Sequence, residues 1–380
     1  MLEVRRFDPA GCNFPRPAVP LLPALRWDAL ALNGKGASAP ALFDEPGAHH
    51  FSRGRYALHA AYHGAGVGAT GALLAPSYHC RTMLDPALAL GARIDLFALD
   101  EQLVPRIDSI RALIALATVA PRALVIPHYF GIEQPSAVMD ELAQLCGQHG
   151  ITLIEDCSHA WQVAATRAPL RRTSGHVFVA SPYKFFACED GGMLWGDAAT
   201  PGVRSATDEL RALRNAFRKR SASSQPASVQ DDGKRGSDLT EACSEPSGQY
   251  LRDAEGRASL ALSRWVMRRT RVAQVMDLRR RHYQQWSAAL ANVQGARVLF
   301  PQLPADCAPY MLPLLIARPD PVFFVLKQNA VPIWRWDEMG VSGCPVASRY
   351  RTHLLHLPCH QDLSAAQMTW MVAQVSKALT

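Results

Sequence analysis

The sequence is short of several things, and each shortage removes a class of protein. None of its 380 residues falls in a run approaching the ~18 uncharged apolar residues that a membrane-spanning helix needs, so no membrane is expected among its partners. The opening MLEVRRFDPAG lacks the basic-then-apolar order of a secretion leader, which makes the cytoplasm the expected location. The nine cysteines are scattered, without a CxxC pair or a Cys/His cluster at metal-ligand spacing. They read as reduced thiols, most of them filling core, and no metal site is expected. No segment repeats another. No nucleic-acid-binding motif accompanies the net charge of +7, so nucleic acid is not an expected partner. The basic residues gather in Arg211 to Arg220 and in Arg264 to Arg281. The second run is interleaved with apolar residues at helical spacing and reads as a solvated helix face.

What is present is an ordinary globular chain, 48% hydrophobic and 19% charged, long enough for two domains. Residues 1–50 are Pro- and Ala-rich with little periodicity and read as an arm packed on a larger body. From 51 onward helix and strand alternate. Leu58, Ala61, Tyr62 and Ala65 share a helical face just after Ser52-Arg53-Gly54. Strands are expected at Ala72 to Ala75, near 93–98, at Ala123 to Ile126, at Ile151 to Asp156, near 176–181 and at 192–196. Helices are expected at 80–90 and at Ser136 to His149, the latter stopped by Gly150. This alternation predicts an α/β fold with a mostly parallel sheet flanked by helices, whose ligands gather at the carboxyl ends of the strands. Residues 218–248 are Ser-, Gly- and charge-rich, and predict a mobile loop. A long helical stretch follows at 256–290, with Val272, Val275, Met276, Tyr283 and Trp286 inward. The last helix starts at Ser364, which forms a capping box with Gln367. The predicted organisation is an arm (1–50), a large domain (51–255) and a smaller C-terminal α+β domain (256–380).

Three clusters carry chemistry. In the first, Lys184 lies between a strand and the double glycine Gly191-Gly192, flanked by Phe185 and Phe186. Apolar surroundings disfavour a charged amine, and an uncharged amine is what Schiff-base formation requires. A surface lysine beside a turn would look similar. In the second, Glu155-Asp156-Cys157-Ser158-His159 ends a buried strand. A carboxylate there suits a pyridinium nitrogen, although Asp also caps turns at strand ends, and His159 would equally serve as a core imidazole. In the third, Ser52-Arg53-Gly54-Arg55-Tyr56 opens a helix, whose free N–H groups and dipole favour a phosphate.

Together these blocks resemble the sugar-aminotransferase family DegT/DnrJ/EryC1/StrS, which belongs to the fold-type I enzymes of pyridoxal 5'-phosphate (PLP). Gly54-Arg55-Tyr56 matches the family's phosphate turn, and Pro76-Ser77-Tyr78-His79-Cys80 its Pro-Ser-aromatic segment. Pro127-His128-Tyr129-Phe130-Gly131 matches its His-x-x-Gly segment, and Glu155-Asp156-Cys157-Ser158-His159-Ala160 its Glu-Asp-Ala-Ala-Gln-Ala block. Lys184 keeps its spacing to Gly191-Gly192. The order and separations agree over roughly residues 50 to 200.

The resemblance implies an aspartate-aminotransferase fold and PLP as cofactor. It implies Lys184 as the attachment and proton-shuttling residue, Asp156 against the pyridine nitrogen, and His159 near the ring or its hydroxyl. Ser181 and the backbone of Gly54 and Arg55 would hold the phosphate, with Tyr56 beside that turn. Tyr78 or His79 would lie against the ring, and Cys80 and His128 near it. It further implies a homodimer that moves an amino group from an amino acid such as glutamate to a keto or aldehyde acceptor, a nucleotide-linked keto-sugar, in polysaccharide or secondary-metabolite synthesis. The chain departs from the pattern in four places. Arg55 replaces a threonine. The usual phosphate serine position is Val179. Cys80 stands where an aromatic stacks on the ring. The Asn-Tyr-Arg segment given to the partner subunit is missing. Two other readings stay open: another PLP chemistry (elimination, decarboxylation or C–C bond formation), and a non-catalytic scaffold. Trp334-Arg335-Trp336 reads either as a substrate contact or as aromatic packing around a guanidinium.

Overall fold

The computed structural model describes residues 2–9, 12, 14–31, 47–171, 175–197, 201–221 and 236–380. In chain order the elements are β1 (Leu2–Asp8), β2 (Ala48–Phe51), α1 (Gly54–Gly64), β3 (Ala72–Pro76), α2 (Arg81–Ala89), β4 (Ile94–Phe97), α3 (Ile107–Ala115), β5 (Pro121–Pro127), α4 (Ser136–His149), β6 (Thr152–Asp156), α5 (Trp161–Arg171), β7 (His176–Ala180) and β8 (Gly192–Trp195). The second half adds α6 (Ala206–Ser221), β9 (Ser237–Cys243), α7 (Ala261–Arg269), α8 (Val272–Leu290), β10 (Ala296–Val298), β11 (Met311–Ile316), α9 (Pro319–Gln328), β12 (Met339–Gly340), α10 (Pro345–His353), β13 (Leu354–Pro358) and α11 (Ala365–Leu379).

The central sheet has seven strands in the order β2-β8-β7-β6-β5-β3-β4. β4, β3, β5, β6 and β7 run parallel, while β8 is antiparallel to both β7 and β2. Its inner strands read as unbroken apolar runs because helices cover both faces. Ala72–Pro76, Gly192–Trp195 and Ala123 to Ile126 are wholly buried. A side chain moved to the other face would therefore gain no water, and the pattern does not alternate. The architecture is the aspartate-aminotransferase fold expected from the sequence.

A second sheet, β10-β11-β13, lies in the C-terminal region. It buries Leu312, Leu314, Leu355 and Leu357 against Tyr283, Trp286, Phe324, Met368 and Met371. The capping box on α11 is formed: Gln367 N donates to Ser364 Oγ and Ser364 N to Gln367 Oε1. Gly150 closes α4 in the left-handed region, at φ 63°.

Two expectations are corrected. The segment 218–248 is not all loop: 218–221 end α6, and Ser237–Cys243 pairs residue for residue with Leu2–Asp8. Its composition hid this because β9 is an exposed edge strand whose order comes from β1, 235 positions away at the Arg5–Thr240 pair. Residues 222–235 of that expected loop lie outside the described residues. The helix expected over 256–290 is two helices, with Thr270 extended between them. The break is held open by the N-terminal arm: Arg271 N donates to Ala29 O (2.9 Å) and Ala31 N to Arg269 O (2.7 Å).

Candidate active site

The carboxyl ends of β6 and β7 and the amino end of α1 meet at one point. β6 delivers Asp156, and the turn after β7 delivers Ser181 and Lys184. That turn is tight: Lys184 N donates to Ser181 O (3.0 Å), and Phe185 N and Phe186 N both donate to Pro182 O (2.9 and 2.7 Å). The double glycine has a steric cause. A Cβ on Gly192 would lie 2.2 Å from Arg53 O, so only glycine lets β8 run this close to the turn that opens α1.

Gly54 shows the same economy of space on the other side. A Cβ there would sit 1.9 Å from Ser181 Oγ and 3.5 Å from Ser158 Oγ. The two serine hydroxyls are 2.9 Å apart and face the first turn of α1, which has no side-chain cap. Helix N–H groups, two hydroxyls and the arginines 53 and 55 thus border a cavity of about 30 Å³ that also reaches Asp156 and Lys184. Such donors suit a phosphate dianion, and the site fits the phosphate of PLP. Ser158 was not singled out in the sequence. Its signal was its position two residues after Asp156, whose Oδ1 accepts from Ser158 N (2.8 Å). Asp156 therefore does cap a turn, and it lines the cavity as well.

A larger cavity, of about 380 Å³, shares Lys184, Tyr183, Cys80, Thr82 and Arg55 with the first. Its far walls come from the C-terminal region: Tyr310, Trp334, Trp336 and His356. The His159 imidazole lies on the Tyr310 ring, with centroids 4.2 Å apart and planes at 25°. Phe130 N donates to His159 Nδ1 (3.4 Å), which leaves the proton on Nε2. Burial, then the charge of Lys184, holds this imidazole well below its usual pKa, so it is neutral.

The Lys184 amine lies 5.4 Å from the centre of the Tyr310 ring. Burial pushes its pKa down, but Tyr310, Tyr183, Cys80 and Asp156 push it up, and the balance is above the usual lysine value. The apolar surroundings expected from Phe185 and Phe186 lie elsewhere: both rings point to Trp161, and the amine faces the Tyr310 and Tyr183 phenols and the Asp156 carboxylate. Tyr310 is itself pushed up to about 12, chiefly by burial. It is a neutral phenol.

Four expected cofactor contacts lie elsewhere. Tyr78 is fully buried, tilted against Trp336 (ring centres 4.7 Å apart) with its hydroxyl 2.8 Å from His356 Nε2, and lines neither cavity. His79 accepts from Gly340 N through Nε2 (3.1 Å) and anchors β12. Burial pushes its pKa to about 4. Tyr56 packs against Tyr250 and accepts from Leu251 N (3.3 Å). His128 is sealed behind the strand ends, where Gln134 N donates to its Nδ1 (3.0 Å) and its Nε2 lies 2.8 Å from Glu155. His176 approaches the same carboxylate at 2.7 Å. Burial raises the pKa of Glu155, but these two imidazoles outweigh it and hold the carboxylate at about 2. In each case a protein partner engages the side chain. Cys80, by contrast, borders both cavities, and Arg55 does too while donating to Gln249 O.

The Trp334-Arg335-Trp336 segment fits both of its readings. The Arg335 guanidinium sits 3.5 Å from the Phe323 ring centre and pairs with Asp337, while all three residues border the larger cavity. Among the described residues no helix is long and apolar enough to cross a membrane, and no group of three potential metal ligands occurs.

Solved structures share this architecture. The aminotransferase TlmJ from Streptoalloteichus hindustanus is 21% identical, with 97% of this chain and 93% of that one covered and a TM-score of 0.59. The sugar aminotransferase CalS13 from Micromonospora echinospora is 19% identical, with 94% and 99% covered and a TM-score of 0.60. AtS13 from Actinomadura melliaura is 17% identical, with 95% and 99% covered and a TM-score of 0.60. At these identities the likeness establishes the fold. The sequence pattern of the DegT/DnrJ/EryC1/StrS aminotransferase family matches residues 44–376, almost the whole chain, and the protein belongs to that family of PLP-dependent aminotransferases.

Proposed function

We propose that the enzyme moves an amino group from an amino acid, glutamate first among candidates, to the carbonyl of a nucleotide-linked keto-sugar. Polysaccharide or secondary-metabolite synthesis is the proposed setting, in the cytoplasm and as a homodimer. The observation that carries the reading is the meeting of the Lys184 amine and the Asp156 carboxylate on one cavity whose end is the Gly54–Ser158–Ser181 cradle. PLP supplies an electron sink for cleaving a bond at the amino carbon.

The chain's own residues do the rest. The first turn of α1, with Ser158 and Ser181, would hold the phosphate. Asp156 would pair its carboxylate with the pyridine nitrogen. Lys184, raised in pKa before cofactor attachment, gives up a proton to react and afterwards carries protons at its Nζ. His159, neutral with its proton on Nε2, would donate to the cofactor's ring hydroxyl. Cys80, which borders both cavities, would stand where the family places an aromatic. The aromatic wall of Tyr310, Trp334 and Trp336 excludes water from the reacting atoms and offers flat surfaces to a cyclic acceptor.

Incubating the purified protein with glutamate should convert the cofactor's absorbance to that of its amine form, and adding a keto-sugar nucleotide should reverse it. A protein that retains PLP yet responds to no common amino donor would favour elimination, decarboxylation or C–C bond formation instead. Borohydride fixation followed by peptide mapping should place the cofactor on the peptide carrying Lys184.

A further inference from the structure

The basic run Arg264 to Arg281 contains one member that is not solvated. Arg279, on α8, is fully buried, while the run's other arginines are exposed or half-buried. Its guanidinium touches three separate stretches of chain. Nε donates to Gln361 Oε1 (2.8 Å), Nη1 to Pro309 O (3.0 Å), and Nη2 to Lys184 O (3.0 Å) and Phe185 O (3.2 Å). The centre of the Phe185 ring lies 4.7 Å from the guanidinium carbon. Gln361 closes the circuit by donating from Nε2 to Phe185 O (3.0 Å).

No carboxylate hydrogen-bonds to this cation among the described residues; its neighbours are four main-chain and side-chain carbonyl oxygens. A buried charge whose hydrogen bonds all go to neutral dipoles, with the Asp362 carboxylate acting on it only through space, is a costly way to stabilise a core, and an apolar side chain of similar volume would commonly serve as well. What the guanidinium adds is geometry: a planar fork whose N–H directions are set at once for several acceptors. The acceptors are telling. One is the carbonyl of the lysine itself, and another is that of Pro309, the residue before Tyr310. Those two residues face each other across the cavity, with the amine 5.4 Å from the ring. From the other side, Tyr310 N donates to Phe130 O (2.9 Å), which ties the same segment to the end of β5.

We propose that Arg279 is a positioning residue for the Lys184 amine: it clamps the main chain of the lysine turn to that of the Tyr310 segment and so sets how amine and phenol face each other. The assignment rests on reading Lys184 as the reacting amine, but the clamp is a property of the folded chain with or without a ligand. A lysine at 279 would keep the charge and lose the fork; a methionine would lose both.

The test compares Arg279→Lys and Arg279→Met with the parent protein in two measurements. The first is the pH titration of the imine that Lys184 forms with the bound cofactor, followed by its absorbance in the holoenzyme. The second is the glutamate half-reaction, per mole of bound cofactor. Both variants are expected to shift the imine midpoint by about half a pH unit or more. They are also expected to slow the half-reaction by about tenfold or more, with the glutamate concentration at half-maximal rate changed about twofold at most. The lysine variant should recover part of each effect. Unchanged titration and rate in a folded variant of lowered thermal midpoint would reduce Arg279 to a structural residue and overturn the proposal. If neither variant folds, Gln361→Met removes one arm of the same clamp, and an unchanged imine midpoint there overturns it equally. The titration needs no amino donor. A parent protein inert to every donor, with a midpoint that still moves in the variants, would therefore count against the proposed reaction and for the clamp.

Discussion

The two halves of the active site are built differently. The half formed by residues 52–56, 156–158 and 181–192 consists of short local motifs: a glycine opening a helix, an acid ending a strand, a lysine in a tight turn. Its parts are placed mostly by the backbone conformation of their own segments. The half formed by Arg279, Tyr310, Trp334, Trp336 and His356 has no motif at all. Its side chains matter because of what the fold brings opposite them, as when the His159 ring meets Tyr310 or the Tyr78 hydroxyl meets His356. The first half is chemistry supplied by local conformation; the second is chemistry supplied by packing.

If that contrast is right, damage to the first half should abolish reaction or binding, and damage to the second should tune it. Lys184→Ala has the largest expected effect: no borohydride-stable attachment of the cofactor and loss of essentially all amino transfer, read by absorbance and mass mapping. Gly54→Ala comes next. Its new methyl must displace the Ser181 hydroxyl, 1.9 Å from its Cβ, and cofactor affinity should fall about ten- to a hundredfold by fluorescence titration. Tyr310→Phe keeps the ring against His159 and removes the phenol, and should slow the half-reaction about tenfold with little change in cofactor affinity. A loss as complete as that of Lys184→Ala would erase the contrast.

The smallest expected effect concerns pH, and again separates the halves. Burial holds His356 and His360, in the C-terminal half, at about 3, and His79, which anchors β12, at about 4. In an unfolded chain these imidazoles take up protons near pH 6.5. The unfolded state then binds more protons than the folded state, so stability falls as pH drops below about 6.5 and keeps falling until the folded pKa values are reached. Urea midpoints measured from pH 7 to 4 should decline steadily, with the steepest part below pH 6.5. His360→Gln should lessen the slope. A flat profile over that window would mean these imidazoles are not buried neutral.

Legibility followed the same division. The positions of the parallel strands along the chain, the helix stop at Gly150 and the capping box at Ser364 were all readable, because each follows from period, φ preference or a short-range hydrogen bond. Lys184 and Asp156 were readable for the same reason, and so was the glycine turn. Tyr78 and His79 were misread because a strand end offers two sides and local sequence does not say which one faces the ligand. Arg279 was misread as one more charge on a wet helix. Its neighbours in sequence are solvated, and the carbonyls that hold it come from Lys184, 95 positions earlier, and Pro309, 30 later. The strand Ser237–Cys243 was invisible because an exposed edge strand has no apolar pattern of its own.

The chain's local chemistry was thus enough to determine an α/β body of parallel strands, with a lysine, an aspartate and a phosphate turn at the strand ends. It could not determine which way those groups are finally held, whether the amine is charged, or what walls the cavity opposite them. Those are set by contacts between residues far apart in the chain. Their electrostatic and packing energies come into being only when the C-terminal sheet and the arm close over the strand ends.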